Sequence, residues 1–185
     1  MVGMTELVVL LNEQAKPIGS ADKLKVHTLH TPLHLAFSCY IFNDRGQFLL
    51  TQRALSKKVW PGVWTNSVCG HPAPGEAMEQ AIARRLQFEL GMSAHDYKVV
   101  LPDYRYKTPP FKGVIENEVC PVYIARASSE PNPNSQEVEA YKWMNWQNFV
   151  EEAEADTADV YSWWCKDQLK QLKNNPDLLS YAKAS

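Results

Sequence analysis

The segment over residues 60–91 most constrains how this chain folds, because a loop rich in proline and glycine leads directly into one amphipathic helix. The apolar residues of that helix recur at every fourth position, at Met78, Ile82, Leu86 and Leu90. Gly91 stands where a helix C-terminus is expected, since glycine readily adopts the left-handed conformation that ends a helix. We therefore predict a loop or a short irregular strand over residues 60–74 and a helix over residues 76–90.

Short apolar segments on both sides of this helix predict β-strands. They lie at residues 7–11, 33–42, 48–51, 99–106, 114–125 and 138–143. Residues 43–46 predict a turn that joins two of these strands into a hairpin. From Trp146 to about residue 174, charged and apolar residues alternate at helical spacing, with one interruption near Thr157. We predict an α/β (α+β) fold with a mixed sheet and helices packed on it.

The composition indicates one domain over residues 1–185, with a helical C-terminal segment from about residue 146. The 19 Lys and Arg against 21 Asp and Glu leave a net charge of -2, so no bulk positive field exists to bind a nucleic-acid backbone. No apolar run approaches the ~18 residues of a membrane span, and no charged-then-apolar leader opens the chain. We expect a cytoplasmic monomer or weak dimer that binds neither nucleic acid nor membrane.

The four cysteines show no close pairing in the sequence. They are Cys39, Cys69, Cys120 and Cys165. In a chain expected to be cytoplasmic, we predict reduced thiols rather than a disulfide framework, and one of them is a candidate reactive group.

Residues 70–92 resemble the Nudix box, whose pattern is Gly, five residues, Glu, seven residues, then Arg-Glu-apolar-any-Glu-Glu-any-Gly-apolar. The positions that match are Gly70, Glu76, Arg84, Leu86, Glu89, Gly91 and Met92. The resemblance implies a Nudix-like mixed sheet sandwiched between helices. A loop that leads into a helix suits a diphosphate, because amides at the helix N-terminus donate hydrogen bonds and helix carboxylates hold Mg²⁺ against the phosphate oxygens.

Two departures from the Nudix pattern change the expected chemistry. Arg85 and Phe88 stand where the hydrolases place two of their metal-binding glutamates. Hydrolysis needs a concentrated metal site to activate water, so the segment is better suited to hold a diphosphate than to cut it. An ordinary surface pair between Arg85 and Glu89 accounts for these two residues alone, although it does not explain the whole spacing.

Two carboxylates and three histidines suggest a metal site. Glu116 and Glu118 would point to the same side of a strand, where two adjacent carboxylates repel unless one gains a proton or a cation. His27, His34 and His71 supply imidazoles in the same half of the chain. Together they suit Zn²⁺, Mn²⁺ or Mg²⁺, although each histidine taken singly is more often an ordinary core or surface residue.

Residues 54–71 and 116–121 resemble the type I isopentenyl-diphosphate isomerases, a Nudix-fold branch, and the resemblance runs from about residue 8 to 164. It implies that Cys69 and Glu118 are catalytic and that Tyr106 assists proton transfer. It also implies metal ligands at His27, His34, His71, Glu116 and Glu118, and a second ion, Mg²⁺, that bridges the substrate diphosphate to Glu89 and the Cys69 backbone. The implied substrate-binding residues are Lys23, Arg53, Lys57, Arg85, Cys69 and the cation-facing Trp164, next to Trp163.

The activity implied by this resemblance is the interconversion of isopentenyl and dimethylallyl diphosphate through a tertiary carbocation, in isoprenoid biosynthesis. The sequence leaves open which of Cys69 and Glu118 adds the proton and which metal the His/Glu site prefers. It also leaves two other functions open, a Nudix hydrolase of nucleoside diphosphate derivatives and a non-enzymatic metal-binding module. The acidic stretch over residues 151–159 is either part of a lid or a solvated helix end.

Overall fold

A computed structural model describes residues 6–184, and over these residues the strands form two sheets. The strands are β1 (Leu7–Leu11), β2 (Pro17–Asp22), β3 (His34–Leu35), β4 (Phe37–Phe42), β5 (Gln47–Arg53), β6 (Trp64–Thr65), β7 (Val68–Gly70), β8 (Ala94–Leu101), β9 (Arg105–Lys107), β10 (Asn117–Val119), β11 (Val122–Ala127) and β12 (Val138–Asn145). The helices are α1 (Lys23–Val26), α2 (Met78–Leu90), α3 (Trp146–Glu154), α4 (Trp163–Leu172) and α5 (Pro176–Tyr181). The predicted α/β class is confirmed.

Both sheets are mixed, because one parallel strand pair lies within each of them. The smaller sheet has the order β2-β1-β3-β10-β9, and β3 and β10 run parallel. The larger sheet has the order β12-β5-β4-β11-β8, with β6 paired to β5 and β7 paired to β4. Its parallel pair is β4 and β11, so the same two segments of the chain pair first in one sheet and then in the other.

The predicted strands over 33–42 and 114–125 are each divided between the two sheets. Ala36 separates β3 from β4, and Cys120 and Pro121 separate β10 from β11. Every residue of β4 is buried. Both faces are covered. Tyr40 and Phe42 pack beneath the C-terminal helices, whereas Phe37, Cys39 and Ile41 pack against α2.

Two further differences from the predicted elements have local causes. The strand predicted over 99–106 is interrupted, because Pro102 has no amide hydrogen for the ladder and begins a turn between β8 and β9. The short helices α1 and α5 have no apolar periodicity long enough to detect. Each is capped instead by a side chain that accepts from backbone amides, Asp22 at α1 and Asn175 at α5.

The hydrophobic core lies on both faces of the larger sheet. One cluster joins the sheet to α3, α4 and α5 and contains most of the buried aromatic residues. The other lies under α2, through Ile82, Leu86 and Leu90. The predicted helix over 76–90 is confirmed except that it begins at Met78, and this packing fixes α2 against the loop that precedes it. Within residues 6–184, no helix combines the length and the hydropathy that crossing a membrane requires.

The acidic stretch over residues 151–159 mostly forms the end of α3 and the turn that follows. Glu151, Glu152 and Glu154 are exposed on α3. The carboxylate of Asp156 accepts hydrogen bonds from the backbone amides of Ala158, Val160 and Tyr161, and it pairs with Lys166 at 3.1 Å. The stretch therefore organises the connection between α3 and α4.

The end of α2 provides a test of this packing. Gly91 has φ 55°, and a Cβ atom there would lie 2.8 Å from the carbonyl oxygen of Asn132. We expect Gly91→Ala to lower the free energy of unfolding by about 2 kcal/mol or more, since the left-handed conformation alone costs ~1–2 kcal/mol and the clash adds to it. Gly75→Ala is the matched control, because Gly75 has φ 80° and a Cβ atom there would meet no heavy atom within 4 Å. Equal losses in urea unfolding would contradict a role for the contact with Asn132.

Candidate active site

A cavity of about 410 Å³ brings together side chains from both sheets and from α2 and α4. Its volume lies in the range of small-molecule sites. The residues that line it include Lys23, His27, Arg53, Lys57, Cys69, His71, Arg85, Glu89, Tyr106, Glu116, Glu118 and Trp164. His34 is fully buried beside it. The resemblance implied that these residues form one site. They do line one cavity, although some of them are more than a hundred positions apart in the chain.

Three imidazoles and a carboxylate converge at one end of this cavity. The Nε2 atoms of His34 and His71 lie 3.2 Å apart, and Glu118 Oε1 lies 3.4 Å from the first and 3.1 Å from the second. The parallel pairing of β3 with β10 places His34 directly beside Glu118. With His27, the candidate ligand atoms all lie within 4.8 Å of one another.

The backbone holds two of these rings in an orientation suited to metal binding. His27 Nδ1 lies 2.7 Å from the carbonyl oxygen of Lys23, and His34 Nδ1 lies 3.0 Å from that of Pro32. A ring that donates its Nδ1–H to a carbonyl leaves the Nε2 lone pair free as a ligand. In both histidines the Nε2 atom faces the convergence point.

Several buried polar atoms at this point have no hydrogen-bond partner. His27 Nε2 and Glu116 Oε2 lie 3.1 Å apart, yet neither makes a hydrogen bond, and His71 Nδ1 is unpartnered as well. Leaving a buried polar atom unpaired costs about 1–3 kcal/mol. Imidazole and carboxylate ligands that face one point suit a divalent cation, which would satisfy His27 and Glu116 together. The residues present therefore fit a divalent metal ion.

The charge states follow from burial and from the neighbouring rings. Burial opposes ionisation of Glu118, but its contacts with the rings of His34 and His71 outweigh this and hold the pKa of the carboxyl below its usual range. Burial also lowers the pKa of His71, although the contact with Glu118 acts in the opposite direction. Burial disfavours the charged form of His27, but its contacts with Glu116 outweigh this and raise the pKa of the ring. An ionised carboxylate at Glu118 is the state that binds a metal.

Cys69 lies on β7 in the larger sheet, whereas Glu118 lies on β10 in the smaller sheet. The pairing of β7 with β4 sets Cys69 opposite Ser38, and the thiol Sγ lies 3.4 Å from Ser38 Oγ and 3.1 Å from Asn66 Oδ1. Burial raises the pKa of Cys69 to about 11, although the hydrogen bonds to Ser38 and Asn66 oppose this. The side chain is therefore a neutral thiol near pH 7. All four cysteines are free, as predicted.

Tyr106 lies beside Glu118 because β9 and β10 pair antiparallel with these two residues directly opposite. Its ring stacks between Tyr104, at 5.6 Å, and Trp163, at 5.9 Å between centroids. Burial and the charge of Glu118 raise the pKa of Tyr106 well above its usual value, so the phenol keeps its proton.

The four predicted diphosphate-binding cations line the cavity, and each has partners within the chain. Lys23 pairs with Glu6 at 3.0 Å, and Arg53 donates to the carbonyl oxygens of Val59 and Trp60, both at 3.1 Å. Lys57 and Arg85 both contact Glu137 Oε2, at 2.5 Å and 3.1 Å. Sequence reasoning missed Glu137, because a single glutamate after a polar loop carries no distinguishing pattern.

Arg85 and Glu89 form an ion pair that is buried rather than on the surface. Both side chains are nearly enclosed, and Arg85 donates to Glu89 through two nitrogens. Phe88, by contrast, is 53% exposed, with the Arg85 guanidinium 5.1 Å from its ring centroid. Two of the positions that are glutamates in the Nudix pattern therefore hold a buried cation and an exposed aromatic ring.

The two adjacent tryptophans of α4 have different surroundings. Trp164 is buried, lines the cavity and meets Trp60 edge-on at 5.5 Å between centroids. Trp163 instead stacks on Tyr106 and does not line the cavity. Of the two rings, Trp164 is the one placed to face a bound molecule.

Comparison with known proteins identifies the class to which this fold and site belong. A family model described as the NUDIX domain matches residues 32–164. A Deinococcus radiodurans protein of known structure superposes with a TM-score of 0.68 at 18% identity, over 89% of this chain and 98% of that one. A MutT NUDIX hydrolase from Burkholderia pseudomallei gives a TM-score of 0.57 at 22% identity, over 76% and 98%. The chain is thus a NUDIX-fold protein.

Curated relatives narrow this class to one enzyme family. The Isopentenyl-diphosphate Delta-isomerase of Saccharopolyspora erythraea is 55% identical over 167 residues, which cover 90% of this chain and 86% of that protein. The enzyme of the same name from Salmonella typhi is 49% identical over 96% of this chain and 98% of its own length. This chain belongs to the isopentenyl-diphosphate Delta-isomerase family.

Proposed function

We propose that this protein interconverts isopentenyl and dimethylallyl diphosphate, with Cys69 and Glu118 as the groups that add and remove the protons. The observation that carries the proposal is their placement: a thiol from the larger sheet and a carboxylate from the smaller sheet open on the same cavity. The altered Nudix positions support it, since Arg85 and Phe88 cannot gather metal for hydrolysis.

The reaction needs two proton-transfer groups because it moves a double bond by one carbon. An alkene is a weak base, so a well-placed acid must protonate it, and a second group must then remove a proton from the neighbouring carbon. Tyr106, which keeps its proton beside Glu118, is placed to pass a proton between that carboxylate and the substrate. The largely apolar walls of the cavity would keep water away from the tertiary carbocation formed between the two transfers.

The proposed ligands of the divalent ion are His27, His34, His71, Glu116 and Glu118. We infer that the ion is Mn²⁺, Zn²⁺ or Mg²⁺, from the mixture of imidazole and carboxylate ligands. When bound, a divalent cation stabilises the ionised form of a carboxylate and polarises a neighbouring O–H group. Glu118 keeps its charge and its position, and its contacts with His34 and His71 aim it towards the cavity.

The proposed anchor for the diphosphate is the cationic side of the cavity. Its cations are Lys23, Arg53, Lys57 and Arg85. Glu89 and Cys69 also line the cavity, and we infer that Glu89, with help from the Cys69 backbone, would hold a Mg²⁺ that neutralises the charge of the diphosphate. Trp164 presents its ring to the apolar end of the substrate, where attraction to a desolvated cation is worth about 2 kcal/mol.

An isotope experiment tests the proposed function directly. With a divalent metal present, the purified protein should convert isopentenyl diphosphate to dimethylallyl diphosphate and incorporate deuterium from D₂O, which mass spectrometry detects. The same preparation should release no phosphate from a panel of nucleoside diphosphate derivatives, because the hydrolytic glutamates are absent. No deuterium uptake, or phosphate release without isomerisation, would overturn the proposal. The cytoplasmic location and the monomeric or weakly dimeric state stay predictions.

A further inference from the structure

Four polar side chains lie beneath Cys69, and the reaction proposed above assigns them no role. They are Ser38, Tyr40, Asn66 and Gln168, each at most 1% exposed. Ser38 and Tyr40 lie on β4, Asn66 lies just before β7, and Gln168 lies on α4. The four side chains therefore connect the centre of the larger sheet with the C-terminal helices. Polar groups are costly to bury unless they are paired, and every one of these four has hydrogen-bond partners.

The orientation of Asn66 is fixed by the backbone around it. Its Nδ2 donates to the carbonyl oxygens of Cys39 at 3.2 Å and Val68 at 2.9 Å. An amide turned the other way would place its oxygen against two carbonyl oxygens, so Oδ1 must face Cys69. Because an amide oxygen only accepts, the contact of 3.1 Å requires that the Cys69 thiol donates its proton towards Asn66.

On its other side, the thiol contacts a hydroxyl that is itself held in place. Tyr40 donates to Gln168 Oε1 at 2.8 Å, and Gln168 Nε2 donates to Ser38 Oγ at 2.9 Å. Since Ser38 accepts this bond, its own hydrogen is available to the nearby sulfurs, Cys69 at 3.4 Å and Cys120 at 3.5 Å. The Cys69 sulfur therefore lies between a donor, Ser38, and an acceptor, Asn66.

We propose that Ser38 and Asn66 form a clamp that holds the Cys69 sulfur at one place on the cavity wall, and that Gln168 is a positioning residue that holds Ser38 in this clamp. The inference rests on the proposed function, because the clamp has a purpose only if Cys69 reacts. In the free protein the S–H bond points towards Asn66, so its hydrogen must turn about the Cβ–Sγ bond to meet the substrate. The sulfur does not move in this turn, and proton transfer needs it at a fixed distance from the reacting carbon.

The position of Gln168 on α4 extends the clamp to the substrate side of the cavity. Trp164 and Gln168 are separated by one helical turn and share the buried face of α4. The helix that carries the cavity-lining ring thus also carries the residue that holds Ser38. Docking of α4 therefore sets both the wall of the cavity and the position of the Cys69 sulfur.

The first test separates turnover from substrate binding. We expect Ser38→Ala and Gln168→Met each to lower kcat about tenfold, the effect of losing one hydrogen bond, while KM changes less than twofold. KM should stay constant because neither Ser38 nor Gln168 makes a hydrogen bond to any of the cations proposed to bind the diphosphate. Gln171→Met is the matched control for the second variant, because Gln171 lies exposed on the same helix.

A spectroscopic test reads the thiol directly and needs no substrate. Subtracting the infrared spectrum of Cys69→Ala from that of the unmodified protein isolates the S–H stretching band of Cys69, whose frequency falls when the thiol donates a hydrogen bond. We expect the band at a lowered frequency, and broadened in Ser38→Ala and Gln168→Met. Since the band is read without turnover, failure of this inference is distinguishable from failure of the proposed function.

Ser67→Ala provides a control for purely structural effects. Ser67 is equally buried, but it bonds only to the backbone, accepting from Ile41 and donating to Leu49. We expect it to lower the melting temperature without changing kcat or the Cys69 band. The clamp is wrong if Ser38→Ala and Gln168→Met leave both kcat and the band unchanged, or if Ser67→Ala reproduces their effects on kcat.

Discussion

Cys69→Ala is expected to reduce turnover by roughly 10³-fold or more while the protein stays folded, because it removes one of the two groups that we propose exchange protons with the substrate. The thiol contributes little to the fold, since Cys69 is only partly buried at the edge of the core and its side-chain hydrogen bonds go to Asn66 and Ser38. Conversion of isopentenyl diphosphate, followed by mass spectrometry, measures the loss. Circular dichroism and thermal unfolding check that the variant is folded.

Cys39→Ala is the matched control for this loss. Cys39 is as buried as any residue of the chain, but it faces the cluster under α2 and does not line the cavity. We expect it to cost about 1 kcal/mol of stability, through the small cavity left in the core, and to keep normal turnover. If Cys69→Ala retained near-normal activity, or if both variants lost activity alike, the thiol of Cys69 would have no chemical role.

Glu118→Gln is expected to have an equally large effect on turnover and a second effect on metal content. The substitution keeps the size of the side chain but removes the charge that contacts both His34 and His71. We expect kcat to fall about 10³-fold, because the acid–base pair is broken, and the bound divalent metal to be lost. Activity assays and elemental analysis of the purified protein measure the two effects.

The exposed residue Glu139 offers the control, since Glu139→Gln removes one carboxylate from the surface of β12 and should change neither quantity.

A chelator should abolish the activity of the unmodified protein and lower its melting temperature, because a ligand that binds the folded state at about 100 times its Kd adds ~2.7 kcal/mol of stability. Excess metal should restore both in the unmodified protein but not in Glu118→Gln. A fully metal-loaded and active Glu118→Gln protein would contradict this assignment.

Local signals in the sequence predicted most of the elements because those elements are governed by short-range patterns. The helix that ends at Gly91 and the hairpin at residues 43–46 are both of this kind. The division of 33–42 between two sheets could not be seen, since nothing about Ala36 marks a break. This division results from pairing with residues 117–127, more than eighty positions away. That segment is itself divided between the two sheets, at Cys120 and Pro121.

The site was accessible to prediction where its chemistry depends on unusual residue types. A cysteine beside a glycine and a histidine, and two glutamates at alternate positions, are distinctive enough to carry a resemblance. Ser38, Asn66, Glu137 and Gln168 are not, because serines, amides and single glutamates occur throughout any surface. Only their burial and their partners separate them from solvated residues, and both depend on the folded chain.

The two proposed proton-transfer groups lie on different sheets, Cys69 on the larger and Glu118 on the smaller. The distance between them therefore depends on how the two sheets pack together rather than on any single loop. His71, which follows β7 of the larger sheet, contacts Glu118 on the smaller one. This contact, which belongs to the proposed metal site, thus also holds the two sheets together beside the proposed reacting pair. Losing it would change the distance between Cys69 and Glu118 as well as the charge of the site, even where both groups are still present.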